Sequence, residues 1–247
     1  MSAGTIRVGI GGWDYDPWKE TFYPPKLAKT KQLEHASRQL TAIEINATYY
    51  RTQTPECFER WAKTVPDGFR FAVKASRFCT TRRILAEGEQ SVRLFCGQGL
   101  TALGDRLGPI LYQLPPRFRI NLERLESFLK LLPMDATHVF EFREKSWYVP
   151  ETYELLDRYG ASFCVHDMPG STSERLAAGP IAYVRFHGGE GKYWGRYSDE
   201  GLLSWTDWMV AQAKAGRPVW AYFNNDIHAH AIHDAQTLKA MVAQAVR

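Results

Sequence analysis

Ala182-Tyr183-Val184-Arg185-Phe186-His187-Gly188 alternates large apolar side chains with charged or titratable ones. A strand sends successive side chains to opposite faces, so Val184 and Phe186 point one way and Arg185 and His187 the other. Both faces must be accounted for: one packs on helices, and the other carries cationic and imidazole groups into an interior. Seven further runs read as strands: Ile6–Trp13, Ala42–Tyr50, Arg70–Ser76, Pro109–Pro115, His138–Arg143, Ser162–Asp167 and Val219–Asp226. Between them apolar residues recur at helical spacing, as in Phe58, Trp61, Ala62 and Val65, then Leu122, Leu125, Phe128, Leu129 and Leu132, then Leu202, Trp205 and Met209. The last pattern is Ile232, Ala235, Leu238, Met241 and Val242. Asn121 is a good N-cap for the second of these helices, and Pro133 stops it.

Eight βα units in a chain of 247 residues predict a TIM (β/α)8 barrel, with residues 1–247 as a single domain. Its irregular step is the β6–β7 connection, Met168 to Pro180, which has only a hint of helix at Glu174–Ala178. Those thirteen residues still suffice for a parallel crossover, which needs about a dozen. The runner-up is a doubly wound open sheet, which would call for a topological switch and a phosphate-binding glycine fingerprint. Gly9-Ile10-Gly11-Gly12 is rich in glycine, but Trp13 to Pro25 reads as a long loop and no helix opens behind it.

Composition narrows the function classes. An apolar fraction of 45% with 23% charged residues is that of a globular chain, not a disordered one. No apolar run approaches the roughly 20 residues of a membrane span. Met1-Ser2-Ala3-Gly4-Thr5-Ile6-Arg7 runs into the first strand without a charged-then-apolar leader, so the expected location is cytoplasmic. Cys57, Cys79, Cys96 and Cys164 form no Cys-x-x-Cys pair and suit reduced, packed thiols. The net charge of +4 is small and dispersed, which speaks against a nucleic-acid partner.

Period-two alternation applied to the other strands sorts their faces. Glu44, Asn46 and Thr48 point inward from strand two, Lys74 from three, Gln113 from four, Glu141 and Arg143 from five, His166 from six, Arg185 and His187 from seven, and Tyr222 and Asn224 from eight. These lie near the strand C-termini, where TIM barrels build their sites. A barrel interior is normally aliphatic, so such a polar layer carries a desolvation cost that a function would explain. The alternative is a structural salt-bridge network, with Glu44 paired to Lys74 and Glu141 to Arg143 or Arg185.

The layer holds three cations and two carboxylates, a balance that suits a small anionic substrate and acid–base chemistry. Glu44, Lys74 and Glu141 are the expected catalytic groups. Asn46, Gln113, Arg143, His166, Arg185, His187, Gly188, Asn224 and Trp13 are the expected substrate contacts. Neighbouring arginines would also depress the pKa of Lys74 and free its amine as a nucleophile for carbonyl compounds, unless it serves as a salt bridge or anion clamp. No metal or other cofactor is expected, because three cations would repel a dication held by Glu44, Glu141, His166 and His187. His228, His230 and His233 read as a polar helix start rather than a ligand set. Two other classes remain open. A glycoside hydrolase would use Glu44 and Glu141 with Trp13, Trp147 and Trp194 as sugar platforms. A single-stranded nucleic-acid module would use the same aromatics with the scattered basic residues. The most specific expectation is an anion site between strands seven and eight, built from the Gly188 and Gly189 amides, the start of the last helix and Arg185.

Seven segments resemble one known family. They are Gly11-Gly12-Trp13 with Trp18 and Phe22-Tyr23-Pro24; Glu44-Ile45-Asn46-Ala47-Thr48-Tyr49-Tyr50; Phe71-Ala72-Val73-Lys74; Gly108-Pro109-Ile110-Leu111-Tyr112-Gln113-Leu114-Pro115; Glu141-Phe142-Arg143 with Ser146-Trp147; Arg185-Phe186-His187-Gly188; and Tyr222-Phe223-Asn224-Asn225-Asp226. In order and over nearly the whole chain, they resemble the YecE-like family of uncharacterised TIM-barrel proteins. The resemblance implies the barrel fold and no particular reaction. Glu144 and Arg82 stand where that family pattern has His.

Overall fold

A computed structural model of the chain describes residues 3–246. Eight parallel strands close a barrel in sequence order: β1 (Ile6–Gly11), β2 (Ala42–Ile45), β3 (Arg70–Lys74), β4 (Leu107–Gln113), β5 (His138–Glu141), β6 (Ala161–Asp167), β7 (Ala182–Phe186) and β8 (Val219–Phe223). The seam is β1 against β8, with Gly9 opposite Tyr222. Helices α1 (Lys29–Ser37), α2 (Ala47–Tyr50), α3 (Pro55–Thr64), α4 (Gly88–Cys96), α5 (Leu122–Leu129), α6 (Pro150–Arg158), α7 (Asp199–Lys214) and α8 (His230–Ala245) follow the strands. The Asn121 side chain caps α5, accepting from the Arg124 amide at 2.9 Å. No described helix is long and apolar enough to cross a membrane.

Residues 168–181, between β6 and β7, carry no helix, and the hint at Glu174–Ala178 has no regular secondary structure. This connection hydrogen-bonds back onto β6 instead. The Ser173 amide donates to the His166 carbonyl (3.0 Å), the His166 amide to Ser173 Oγ (2.9 Å), and the Phe163 amide to the Ala178 carbonyl (3.0 Å).

Two apolar layers hold the barrel. Outward side chains such as Ile43, Phe71, Phe140, Val184 and Phe223 pack against Phe58, Phe128, Leu202 and Leu238 of the helices. Inside, Ala42, Ala72, Leu111, Val139, Cys164, Tyr183, Trp220 and Tyr222 form a separate cluster that fills the lower barrel. Arg7 lies over the Trp220 ring at 5.3 Å. The polar layer therefore stands on a packed apolar floor.

One strand expectation is corrected. The run Ala42–Tyr50 leaves the sheet at Ile45, and its second half is the one-turn helix α2. Thr48 is accordingly not an inward strand residue. Its buried hydroxyl donates to the carbonyl of Lys74 at 2.7 Å and fixes the end of β3.

Candidate active site

Arg185 enters the barrel from β7 and is 2% exposed. Its Nε donates to both oxygens of Glu44 (3.2 and 3.1 Å), Nη2 to Glu44 Oε1 (2.7 Å) and Asn224 Oδ1 (3.2 Å), and Nη1 to Glu141 Oε2 (2.6 Å) and Gln113 Oε1 (3.2 Å). All its nitrogens are thus engaged across the barrel. Tyr183, one layer below, donates its hydroxyl to Glu44 Oε2 at 2.6 Å. Arg143 Nε donates to the other oxygen of Glu141, and its Nη1 approaches Met168 Sδ at 3.3 Å. Both oxygens of each carboxylate are therefore occupied. Burial by itself would raise the pKa of Glu141, but Arg143 and Arg185 together outweigh it and hold the carboxyl well below its usual range. The same balance runs the other way at Arg185, where Glu44 and Glu141 overcome burial and push the pKa up.

Arg143 Nη2 lies 2.9 Å from His187 Nε2. A guanidinium has no acceptor, so His187 Nε2 must accept, and its proton sits on Nδ1, which has no partner among the described residues. Burial and then Arg185 and Arg143 push the His187 pKa well down, in keeping with a neutral ring. His166 is also buried, and burial brings its pKa to about 4.

Above this frame is a cavity of ≈ 300 Å³ lined by Tyr15, Asn46, Tyr50, Lys74, Gln113, Arg185, His187, Tyr193, Asn224 and Asp226. Lys74 reaches it from the end of β3. Its Nζ sits 4.4 Å from the centre of the Tyr49 ring and, among the described residues, makes no ion pair. Glu44, its expected partner, is held by Arg185 and Tyr183 instead. Burial, then the Arg185 charge, lowers the Lys74 pKa to about 7. Asp226 reaches the cavity from the loop after β8, where the Trp18 indole donates to its backbone carbonyl at 2.9 Å. Burial raises its pKa to about 7, against the lowering effect of Tyr15 and Arg185, and its Oδ1 has no partner among the described residues. Two groups that exchange protons near neutrality thus share one cavity.

Gly11, at the end of β1, makes room for this arrangement. A Cβ there would lie 2.2 Å from Asn224 Oδ1 and 2.8 Å from Asn46 Nδ2. Tyr15 lies in a loop, where alternation has no reach, and Asp226, read as the end of a strand, lies in the loop past β8. Gly11 was legible as part of a glycine-rich run and of the family segment Gly11-Gly12-Trp13.

Several expected contacts lie elsewhere. Trp13 packs edge-on to Trp61 of α3 (5.2 Å) and against the outward Phe71, in the helix layer. Trp147 is fully buried and stacks on Phe142 at 4.5 Å, so of the three tryptophans only Trp194 is well exposed. Gly188, with φ +121°, is crowded by the carbonyls of Gly191 and Trp194, and the Gly189 amide donates to Gly195 O at 3.4 Å. The Asn225 side chain donates to Gly195 O and Asp234 Oδ2. Of the donors expected for an anion site between β7 and β8, the Gly189 amide is thus engaged within the protein, and Arg185 has none left to give. Among the described residues, no three His, Cys, Asp or Glu side chains are grouped to hold a metal ion, the His228–His233 region included.

A closed eight-stranded barrel with a polar cavity at its C-terminal mouth defines a TIM-barrel protein. The chain belongs to the family described as Protein of unknown function DUF72, whose model matches residues 7–247; YecE-like is another wording for the same family. It is 28% identical to the UPF0759 protein YunF of Bacillus subtilis (strain 168), over 90% of this chain and 89% of that one. The crystal structure of a DUF72 family protein from Thermotoga maritima superposes with a TM-score of 0.85 at 28% identity, covering 97% of this chain and 99% of that one. A xylose isomerase domain protein from Alicyclobacillus acidocaldarius shares the fold at a TM-score of 0.53 and 9% identity, over 98% of this chain and 100% of that one.

Proposed function

We propose that the protein is an enzyme that moves protons on a small anionic substrate in the mouth cavity. Lys74 and Asp226 are the acting pair, and Glu44, Glu141, Arg143 and Arg185 form the frame that holds them. The observation that carries this reading is the state of Lys74. The polar layer already balances two carboxylates with two guanidiniums, leaving the lysine amine without an ion-pair partner among the described residues. A group whose pKa lies near the working pH is the efficient proton carrier, and Asp226 meets the same condition.

The anionic character of the substrate is supported by the loops after β2, β3 and β4. They carry Arg51, Arg77, Arg82, Arg117 and Arg119, all exposed and, among the described residues, outside any ion pair. Unpaired positive charge at a cleft raises the local concentration of anions. A cavity of ≈ 300 Å³ is at the small end of ligand pockets and suits a compound of a few carbons. A glycoside hydrolase built on Glu44 and Glu141 needs one protonated carboxyl facing its substrate. Here Glu141 is held ionised, and the oxygens of both are taken by Arg143, Arg185 and Tyr183.

The test is a thermal-shift series with inorganic phosphate and small phosphorylated sugars on the wild type and on Lys74→Met. Stabilisation of the wild type by at least one small anion, lost in Lys74→Met, is the expected result. Absence of any response in the wild type, or an undiminished response in the variant, overturns the reading.

A further inference from the structure

We propose that Lys74 reacts covalently, forming an imine with a small aldehyde or ketone that carries an anionic group. This rests on the acid–base reading above and names the substrate class for the same cavity. The geometry is open to nucleophilic attack. Nζ projects from the end of β3 into the cavity, has no ion pair among the described residues, and is covered on one side by the face of Tyr49 at 4.4 Å. A lysine beside a frame already neutral, with buried cations at Arg185 and Arg143, gains from losing its proton when no anion is bound.

The cavity also supplies the groups an imine requires. Gln113 Oε1 is bound to Arg185 Nη1, which leaves the Gln113 amide NH2 to donate to a carbonyl oxygen. Asp226 lies in the same cavity with Oδ1 unpartnered among the described residues. The neutral Lys74 amine adds its lone pair to the carbonyl carbon, and the π pair moves to oxygen. That oxygen takes a proton and the nitrogen loses one, giving a carbinolamine. Protonated Asp226 then gives its proton to the hydroxyl, which leaves as water as the nitrogen lone pair forms C=N. The remaining nitrogen proton returns to the Asp226 carboxylate. Amine and carbonyl thus become imine and water, with no electron transfer and no net proton.

The experiment is borohydride trapping of the whole protein with glyoxylate, pyruvate and dihydroxyacetone phosphate, each separately, followed by peptide mass mapping. A lysine at its ordinary pKa of about 10.4 is almost wholly protonated near neutral pH. At least one probe is therefore expected to label Lys74 about tenfold or more over Lys63, whose side chain is 73% exposed. Asp226→Asn is expected to slow that labelling by about tenfold or more without moving its position. The wild-type map decides the matter even if a Lys74 variant folds poorly. Label spread over exposed lysines with no preference for Lys74, for all three probes, overturns the imine. If small anions still stabilise the wild type but not Lys74→Met, that failure leaves the acid–base reading standing; loss of both responses removes both.

Discussion

Arg185 shows how one side chain decides what its neighbours do. Its guanidinium separates Glu44 from Glu141 and bonds to both, with Gln113 and Asn224 completing its donors. Replacing it by Met leaves two buried carboxylates short of their countercharge. The expected cost is about 3–5 kcal/mol, read as a lower midpoint in urea unfolding. Arg185→Lys restores the charge but not the planar fork, so it should recover only part of that loss. A wild-type-like midpoint for Arg185→Met would show that the frame carries little stability. Inner-face placement of Glu44, Lys74, Gln113, Glu141, Arg185 and Asn224 was legible from period-two alternation alone. The division of labour among them was not, because it depends on which guanidinium reaches which carboxylate across the barrel. Tyr15 was hidden for a different reason, since it sits on an irregular loop, and Asp226, though read as the end of the run Val219–Asp226, lies past β8 where the Trp18 indole pins its carbonyl.

At the scale of elements, strand ends are where sequence and structure part. Thr48-Tyr49-Tyr50 is rich in residues that favour strands, yet it turns into α2 because the Thr48 hydroxyl finds the Lys74 and Ile45 carbonyls. The eight strands were legible from their alternation, and α3, α5, α7 and α8 from apolar residues at helical spacing; the other four helices were not. The β6–β7 connection was legible as irregular, but its pairing with β6 was not. That pairing is testable. Ser173→Ala removes the acceptor of the buried His166 amide, with an expected cost of about 1–3 kcal/mol and faster hydrogen exchange in β6. Unchanged exchange at His166 would mean that the connection does not hold the strand. Gly11→Ala tests β1 in the same way. The added methyl must displace Asn224 or Asn46, at an expected cost of about 1–3 kcal/mol and with loss of anion-induced stabilisation. Retained stability and ligand response would show that the two asparagines have room to move.

For the molecule as a whole, the mouth cavity trades stability against chemistry, and pH exposes the trade. Lys74 faces Arg185, Glu44, Glu141 and Arg143, and its pKa falls from 10.5 to about 7. Between those values the native state binds fewer protons there than the unfolded chain does, so this contribution to stability rises with pH across that window. Asp226 faces Tyr15, Arg185 and Glu44, and its pKa rises from 3.8 to about 7. The native state binds more protons there over that lower window, so its contribution falls as pH rises. His166 and His187, both lowered from 6.5, act oppositely on the acid side, so the total curve mixes these effects. Differences between variants separate them. Lys74→Met should be more stable than the wild type, on the order of 2–4 kcal/mol at and below neutral pH, with the gain fading as pH rises towards 10.5. Asp226→Asn should show the mirror image, a gain of similar order above neutral pH that fades as pH falls towards 3.8. Chemical denaturation across the pH range checks both. Two flat difference curves would mean that neither group is strained by its burial, and the cavity would then have no stored cost for function to explain.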